Sequence, residues 1–149
     1  MNIVKSVEQF DKNNIFFCEP IKNNIMNDGN FIRILYSNNY ITLNGVFIYI
    51  NLNNITIEKQ FNKVKCIFNV AAYKKLIEDI KNIEENILTK INIPNKVPQF
   101  KIYEQMNNGN IKIFCDTIPK SACSFILKIS GIWETNDQFG LTYKFTKIN

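Results

Sequence analysis

Apolar and polar residues alternate at every second position along most of this chain, and in one stretch alone they recur every three or four. The period of two is that of a strand with one buried face; the longer period is that of a helix with an apolar stripe. Ile15 to Cys18 is a short apolar run bounded by Asn14 and by Glu19-Pro20, and reads as a first strand. Residues 22–30 form a turn-rich loop with Asp28-Gly29 at its tightest point. Phe31 to Tyr36, β-branched and aromatic, is a strand, and Ser37-Asn38-Asn39 turns the chain. Tyr40 to Leu43 and Val46 to Leu52 flank Asn44-Gly45, the residue pair that best tolerates the positive φ angles of a two-residue hairpin. Ile55 to Ile57 and Lys63 to Val70 are further strands. Residues 1–13 are polar and read as a loose lead-in.

Over residues 71–91 the period changes. Tyr73, Leu76, Ile77, Ile80, Ile83, Ile87, Leu88 and Ile91 line one helix face, with Asn69 placed to cap the start and Pro94 following the end. Lys74, Lys75, Glu78, Asp79, Lys81, Glu84, Glu85 and Lys90 fall on the opposite, solvated face. Lys74–Glu78, Lys75–Asp79 and Lys81–Glu85 have the spacing of i,i+4 ion pairs. The helix is charge-neutral, so the chain's excess positive charge belongs to its β portion.

Beyond a linker bounded by Pro94 and Pro98, strands are predicted over Phe100 to Gln105, Ile111 to Cys115, Ser124 to Trp133 and Leu141 to Lys147. Asn107-Asn108-Gly109 is the expected hairpin turn between the first two, and Asp137 to Gly140 closes the last two. Strands joined by short turns pair antiparallel. The pattern predicts one domain over residues 1–149, mainly β with one amphipathic helix. A small OB-like antiparallel barrel with the helix at one end fits it; a β-sandwich with a covering helix is the alternative.

The alternation also assigns faces. With Phe100 and Ile102 inward, Lys101 and Tyr103 point out; with Ile111 and Ile113 inward, Lys112 and Phe114 point out. Joined by a turn at Asn108-Gly109, these strands would set Lys, Tyr, Lys and Phe side by side. Lysines neutralise phosphates and flat rings stack on unpaired bases, so such a face suits single-stranded nucleic acid. Lys63 and Lys65 alternate with Val64 and Cys66, Lys128 lies between Leu127 and Ile129, and Lys144 between Tyr143 and Phe145, so these lysines point outward too. Trp133 and Tyr143 fall on the apolar sides of their strands, which assigns both to packing.

Composition narrows the chemistry. The chain has no histidine, which excludes Ser-His and Cys-His nucleophilic catalysis and any His-ligated metal. Cys18, Cys66, Cys115 and Cys123 form no C-x-x-C pair, so no zinc ribbon is expected, and they read as reduced, mostly buried thiols. The carboxylates are scattered, and no phosphate loop or nucleophile elbow is present, so a binding protein without catalysis, metal or cofactor is expected. The net charge of +5 favours an anionic partner. Ile, Asn and Lys are over-used and Arg33 is the sole arginine, the mark of AT-rich coding. No apolar stretch approaches the ~20 residues of a membrane helix and no signal-peptide core follows Met1, so an intracellular location is expected.

Phe125 to Glu134 (FILKISGIWE) followed by Gly140 to Phe145 (GLTYKF) resembles the final strands of single-stranded DNA-binding proteins of large nucleocytoplasmic DNA viruses. That family is similar to phage replication proteins built on the OB-fold. The resemblance covers residues 124–146 and implies single-stranded DNA binding in viral replication, repair or recombination, in the host cytoplasm, viral factory or virion. It implies that Trp133, Tyr143 and Lys144 lie near the functional strands. The pattern departs at its end: the phage proteins carry an acidic tail, whereas here the last residues are Thr146-Lys147-Ile148-Asn149. Lys101, Tyr103, Lys112, Phe114, Lys63, Lys65, Lys128 and Lys144 are therefore the candidate contacts to single-stranded DNA, with RNA not distinguished. A homo-oligomer is left open. A viral structural or protein-interaction β-domain is the alternative, and would use the same strands.

Overall fold

A computed structural model describes residues 4–22, 29–114 and 123–148. Its elements, in chain order, are β1 (Ile15–Phe17), β2 (Ile21–Lys22), β3 (Asn30–Ser37), β4 (Thr42–Leu43), β5 (Val46–Leu52), β6 (Thr56–Lys59), β7 (Val64–Ile67), α1 (Lys74–Ile91), β8 (Val97–Gln99), α2 (Lys101–Asn107), β9 (Asn110–Ile113), β10 (Cys123–Glu134) and β11 (Gln138–Ile148). The fold is mainly β, a strongly curled half-barrel with one long helix, as the alternation predicts for an OB-like architecture.

The larger sheet runs β1-β3-β10-β11-β8, with β2 and β4 also paired to β3 and β5 to β10; a second sheet runs β6-β7-β9. The curl is built into β10. Its first part pairs with β5 from Cys123↔Leu52 to Ile129↔Val46, and its last part pairs with β3 from Gly131↔Arg33 to Glu134↔Asn30. The change of partner falls at a β-bulge, where the register against β11 slips between Ile129 and Gly131. The extra residue, Ser130, bends the strand and increases its twist.

One core joins the inner faces. Ile32, Ile34, Ile48, Ile50, Phe125, Leu127, Ile132 and Leu141 of the larger sheet, and Val64, Cys66, Ile111 and Ile113 of the smaller, are buried together. α1 adds Ile77, Ile80, Ile83, Ile87 and Leu88, the stripe that the spacing predicts. Asn69 accepts from the Ala71 amide at the 3-10 turn that leads into α1, and Asn92, at φ 45°, ends the helix. Of the ion pairs expected on the solvated face, Lys75–Asp79 closes at 2.9 Å. The segment read as a lead-in lies along β5, where the Lys5 amide donates to the Phe47 carbonyl and the Tyr49 amide to the Lys5 carbonyl. Lys90 at the end of α1 donates to the Lys12 and Ile15 carbonyls, 2.8 Å each, and fastens this segment from the other side.

Several expectations are corrected. Asn44-Gly45 is not a hairpin turn: Leu43 pairs with Tyr36 and Val46 with Ile129, so the chain crosses from β3 to β10 there. Gly45 keeps a positive φ of 121°, and a Cβ there would stand 2.9 Å from the Ile129 carbonyl oxygen, so both the backbone angle and the space require glycine. The linker contains β8, a parallel edge strand on β11; Pro98 fits because an edge strand can spare a donor.

The stretch from Phe100 to Gln105 is not a strand, and Lys101 and Tyr103 lie on the helix α2. Ile102 and Met106, four residues apart, are its buried residues. Asn108 and Gly109 end this helix instead of turning a hairpin, with the Asn108 amide on the Glu104 carbonyl and Gly109 at φ 79°. Residues 23–28, the tip of the predicted loop with Asp28, and Cys115 lie outside the described residues.

Candidate functional site

The two sheets approach each other at β9 and β11 without a ladder between them. A groove of about 440 Å³ lies there, lined by Gln105 of α2, Lys112 and Phe114 at the end of β9, and Tyr143, Lys144, Phe145 and Thr146 of β11. Strand alternation explains its surface. Ile111 and Ile113 are buried, which turns Lys112 and Phe114 outward; Phe145 is buried, which turns Lys144 and Thr146 outward.

Six of the eight candidate residues gather around this groove. Lys112 of β9 and Lys144 of β11 both line it, as does Phe114, which is 77% exposed. The Lys63 ammonium lies 5.3 Å from the centre of the Phe114 ring, a cation–π contact that holds a charge beside an apolar face. Lys65 is the cross-strand neighbour of Lys112, and Lys128 that of Lys144. On the far side of Lys128, Phe47 is its partner on β5, with the ammonium 5.6 Å from the ring centre.

Lys101 and Tyr103 are not part of that outward face. Lys101 pairs with Glu104 at 3.5 Å on the exposed side of α2, and the Lys81 ammonium covers the Tyr103 ring at 4.9 Å. Gln105 is the residue that α2 contributes, and its side-chain carbonyl accepts the Tyr143 hydroxyl at 2.7 Å. Burial pushes the Tyr143 phenol up to about 12, aided by the negative field of Glu84 and Glu104, so it stays a donor at neutral pH. Tyr143 is half-buried against the core, as expected from its place on the apolar side of β11.

Glu84 positions α2. The helix pattern puts it on the solvated face, yet it is fully buried. Its carboxylate accepts the Ile102 amide at 3.1 Å and the Tyr103 amide at 3.0 Å, two donors that the first turn of a helix leaves unpaired. Burial pushes the Glu84 carboxyl up to about 7, against the opposing pull of those two amides.

Trp133 corrects a further expectation. Counted from Phe125, Leu127 and Ile129 it would face inward; the extra residue at the bulge reverses the parity, so Ile132 is buried and Trp133 lies on the outer face. It is cross-strand from Phe31 on one side and Gly140 on the other. Among the other exposed aromatics, Phe61 sits in a turn and carries no periodic signal, whereas Tyr49 could have been found by its alternation with Ile48 and Ile50. Phe61 is fully exposed at the β6–β7 turn, and Tyr49 is 43% exposed on β5 with its hydroxyl 2.7 Å from Ser124 Oγ.

Among the described residues no cluster of acidic and cysteine side chains could hold a metal ion, and no helix is long and apolar enough to cross a membrane. Cys66 and Cys123 are buried and Cys18 is half-buried. No protein-family model matches the chain, and neither a curated protein nor a solved structure matches it.

Proposed function

We propose that the protein binds single-stranded nucleic acid in the groove between β9 and β11. The observation that carries this reading is that Lys112 of β9 and Lys144 of β11 line one groove together with the exposed ring of Phe114. A single strand offers phosphates to the lysines and an unpaired base to the ring, whereas a duplex keeps its base faces stacked on each other. Lys63, Lys65 and Lys128 extend the positive charge on either side of the groove. The likeness of residues 124–146 to viral single-stranded DNA-binding proteins supports DNA as the ligand and replication or repair as the setting, with no catalysis.

Fluorescence anisotropy with labelled oligo-dT of about 30 nucleotides, longer than one site, tests this across a salt series. Binding should exceed that to duplex and weaken steeply with salt. Lys112→Glu with Lys144→Glu should cost at least about tenfold in affinity and flatten the salt slope by about 1.4, since each single-strand phosphate contact contributes ~0.7. No binding at low salt by the folded protein would refute the proposal and give the groove to a protein partner.

A further inference from the structure

A glycine opposite an aromatic residue lets the ring come closer to the backbone of the sheet than any side chain would allow. Trp133 packs in this way against Gly140. A Cβ on that glycine would stand 2.7 Å from Cζ2, 2.9 Å from Cε2 and 3.0 Å from Nε1 of the indole. Nε1, Cε2 and Cζ2 form one side of the indole, so that side of the ring occupies the space a Cβ would need. Phe31 repeats the arrangement over Gly131, where a Cβ would stand 2.4 Å from Cζ and 2.5 Å from Cε2. The two aromatic residues are cross-strand partners, and Trp133 remains partly exposed.

Cationic groups flank this platform. Arg33, exposed and opposite Gly131, has its guanidinium 5.9 Å from the centre of the Phe31 ring and donates to Asn44 Oδ1 at 2.8 Å. The hydrogen bond orients a planar group suited to a phosphate. On β11, Thr142 and then Lys144 follow Gly140 along the same outer face, and Lys144 also lines the groove. From Gly140 to Lys144 the strand rises about 13 Å.

Resting on the single-strand reading above, we infer that Trp133 is a base-stacking platform for a strand that leaves the groove at Lys144 and runs along the outer face of β11, where Arg33 meets a phosphate. The bound strand then spans the convex face of the larger sheet as well as the groove.

Trp133 is the sole tryptophan of the chain, so its emission reports on this position without any substitution. Titration of the whole chain with unlabelled oligo-dT should quench that emission in parallel with the anisotropy change of labelled oligo-dT. Trp133→Ala should weaken binding by about 5- to 150-fold, the range for losing one base–aromatic stack, and Trp133→Phe should recover most of it. If the alanine variant fails to fold, the wild-type emission and the phenylalanine variant decide. Unchanged emission at saturation, with binding present and lost in Lys112→Glu, overturns the platform while the groove reading stands. Absence of any binding at low salt overturns both. Emission that follows protein concentration and ignores oligo-dT assigns this face to a second copy of the chain, and overturns the platform as well.

Discussion

Residues 100–114 and residues 124–146 look alike as sequence: each alternates apolar with polar and is broken by a Gly-containing turn. They fold differently. The second stretch is the long hairpin of β10 and β11, whereas the first is a helix followed by a four-residue strand. The difference lies in what each stretch meets. β10 has β5, β3 and β11 to complete its ladders, so its pattern is honoured by neighbours on both sides. Lys101 to Asn107 meets the buried carboxylate of Glu84, which accepts two amides that a ladder would otherwise use. Seven residues with weak preferences follow the partner that satisfies their backbone.

The hairpin's dependence on its bulge gives the largest expected effect. At Gly131 even a methyl group would collide with the Ile32 carbonyl oxygen, 2.5 Å from the Cβ position, and with the Phe31 ring. A backbone oxygen held in a ladder cannot give way as a side-chain end does. Gly131→Ala should destabilise the fold by about 3 kcal/mol, the upper part of the range for overpacking, seen as a lower urea midpoint. A midpoint equal to that of the wild type would mean that β10 relaxes at the bulge and that its curl is not fixed by contact.

On the other side of the comparison, Glu84→Ala should cost roughly 2 kcal/mol, because two amides of α2, one of them fully buried, lose their acceptor while an expensive buried charge is also removed. The pH dependence separates those two contributions. The Glu84 carboxyl titrates near 7 in the folded protein against 4.5 for an ordinary one. The folded state therefore holds this proton more tightly than the unfolded chain. The group's contribution to stability is full below 4.5 and is lost as pH rises through 7. Glu134 works the other way: Lys96 at 2.9 Å and Asn30 hold its carboxyl below the ordinary range, so its contribution is lost as pH falls through that lowered value. Urea midpoints measured from pH 4.5 to 8 should decline, and Glu84→Gln should flatten the decline. A wild-type profile that rises over this interval would show that Glu84 is not desolvated as its burial implies.

Much of the site was legible because alternation along a strand needs only local sequence. Buried Val64, Cys66, Ile111, Ile113, Leu127 and Phe145 fix the outward direction of Lys63, Lys65, Lys112, Phe114, Lys128 and Lys144. What alternation cannot register is an inserted residue or a distant partner. The bulge moved Trp133 to the opposite face, and its one local sign was Ser130-Gly131 within an otherwise continuous strand. The capping by Glu84 joins positions about eighteen residues apart and leaves no mark in either segment's period. The groove arises where edges of separate sheets meet, which no single stretch encodes.

The smallest expected effect sharpens the comparison most. Read as a strand, residues 100–114 would make Lys101 and Lys112 equal contributors to one basic face. In the folded chain Lys101 is engaged with Glu104 on the exposed side of α2, and Lys112 lines the groove. Lys101→Glu should therefore change oligo-dT affinity by less than about twofold at 0.15 M salt, where charges beyond ~8 Å are screened. Lys112→Glu, the same change of charge, should weaken binding by at least about fivefold, the loss of a phosphate contact plus repulsion from its replacement. Equal losses would mean that net charge alone drives binding and that the groove has no special place in it. A larger loss at Lys101 would move the bound strand onto α2.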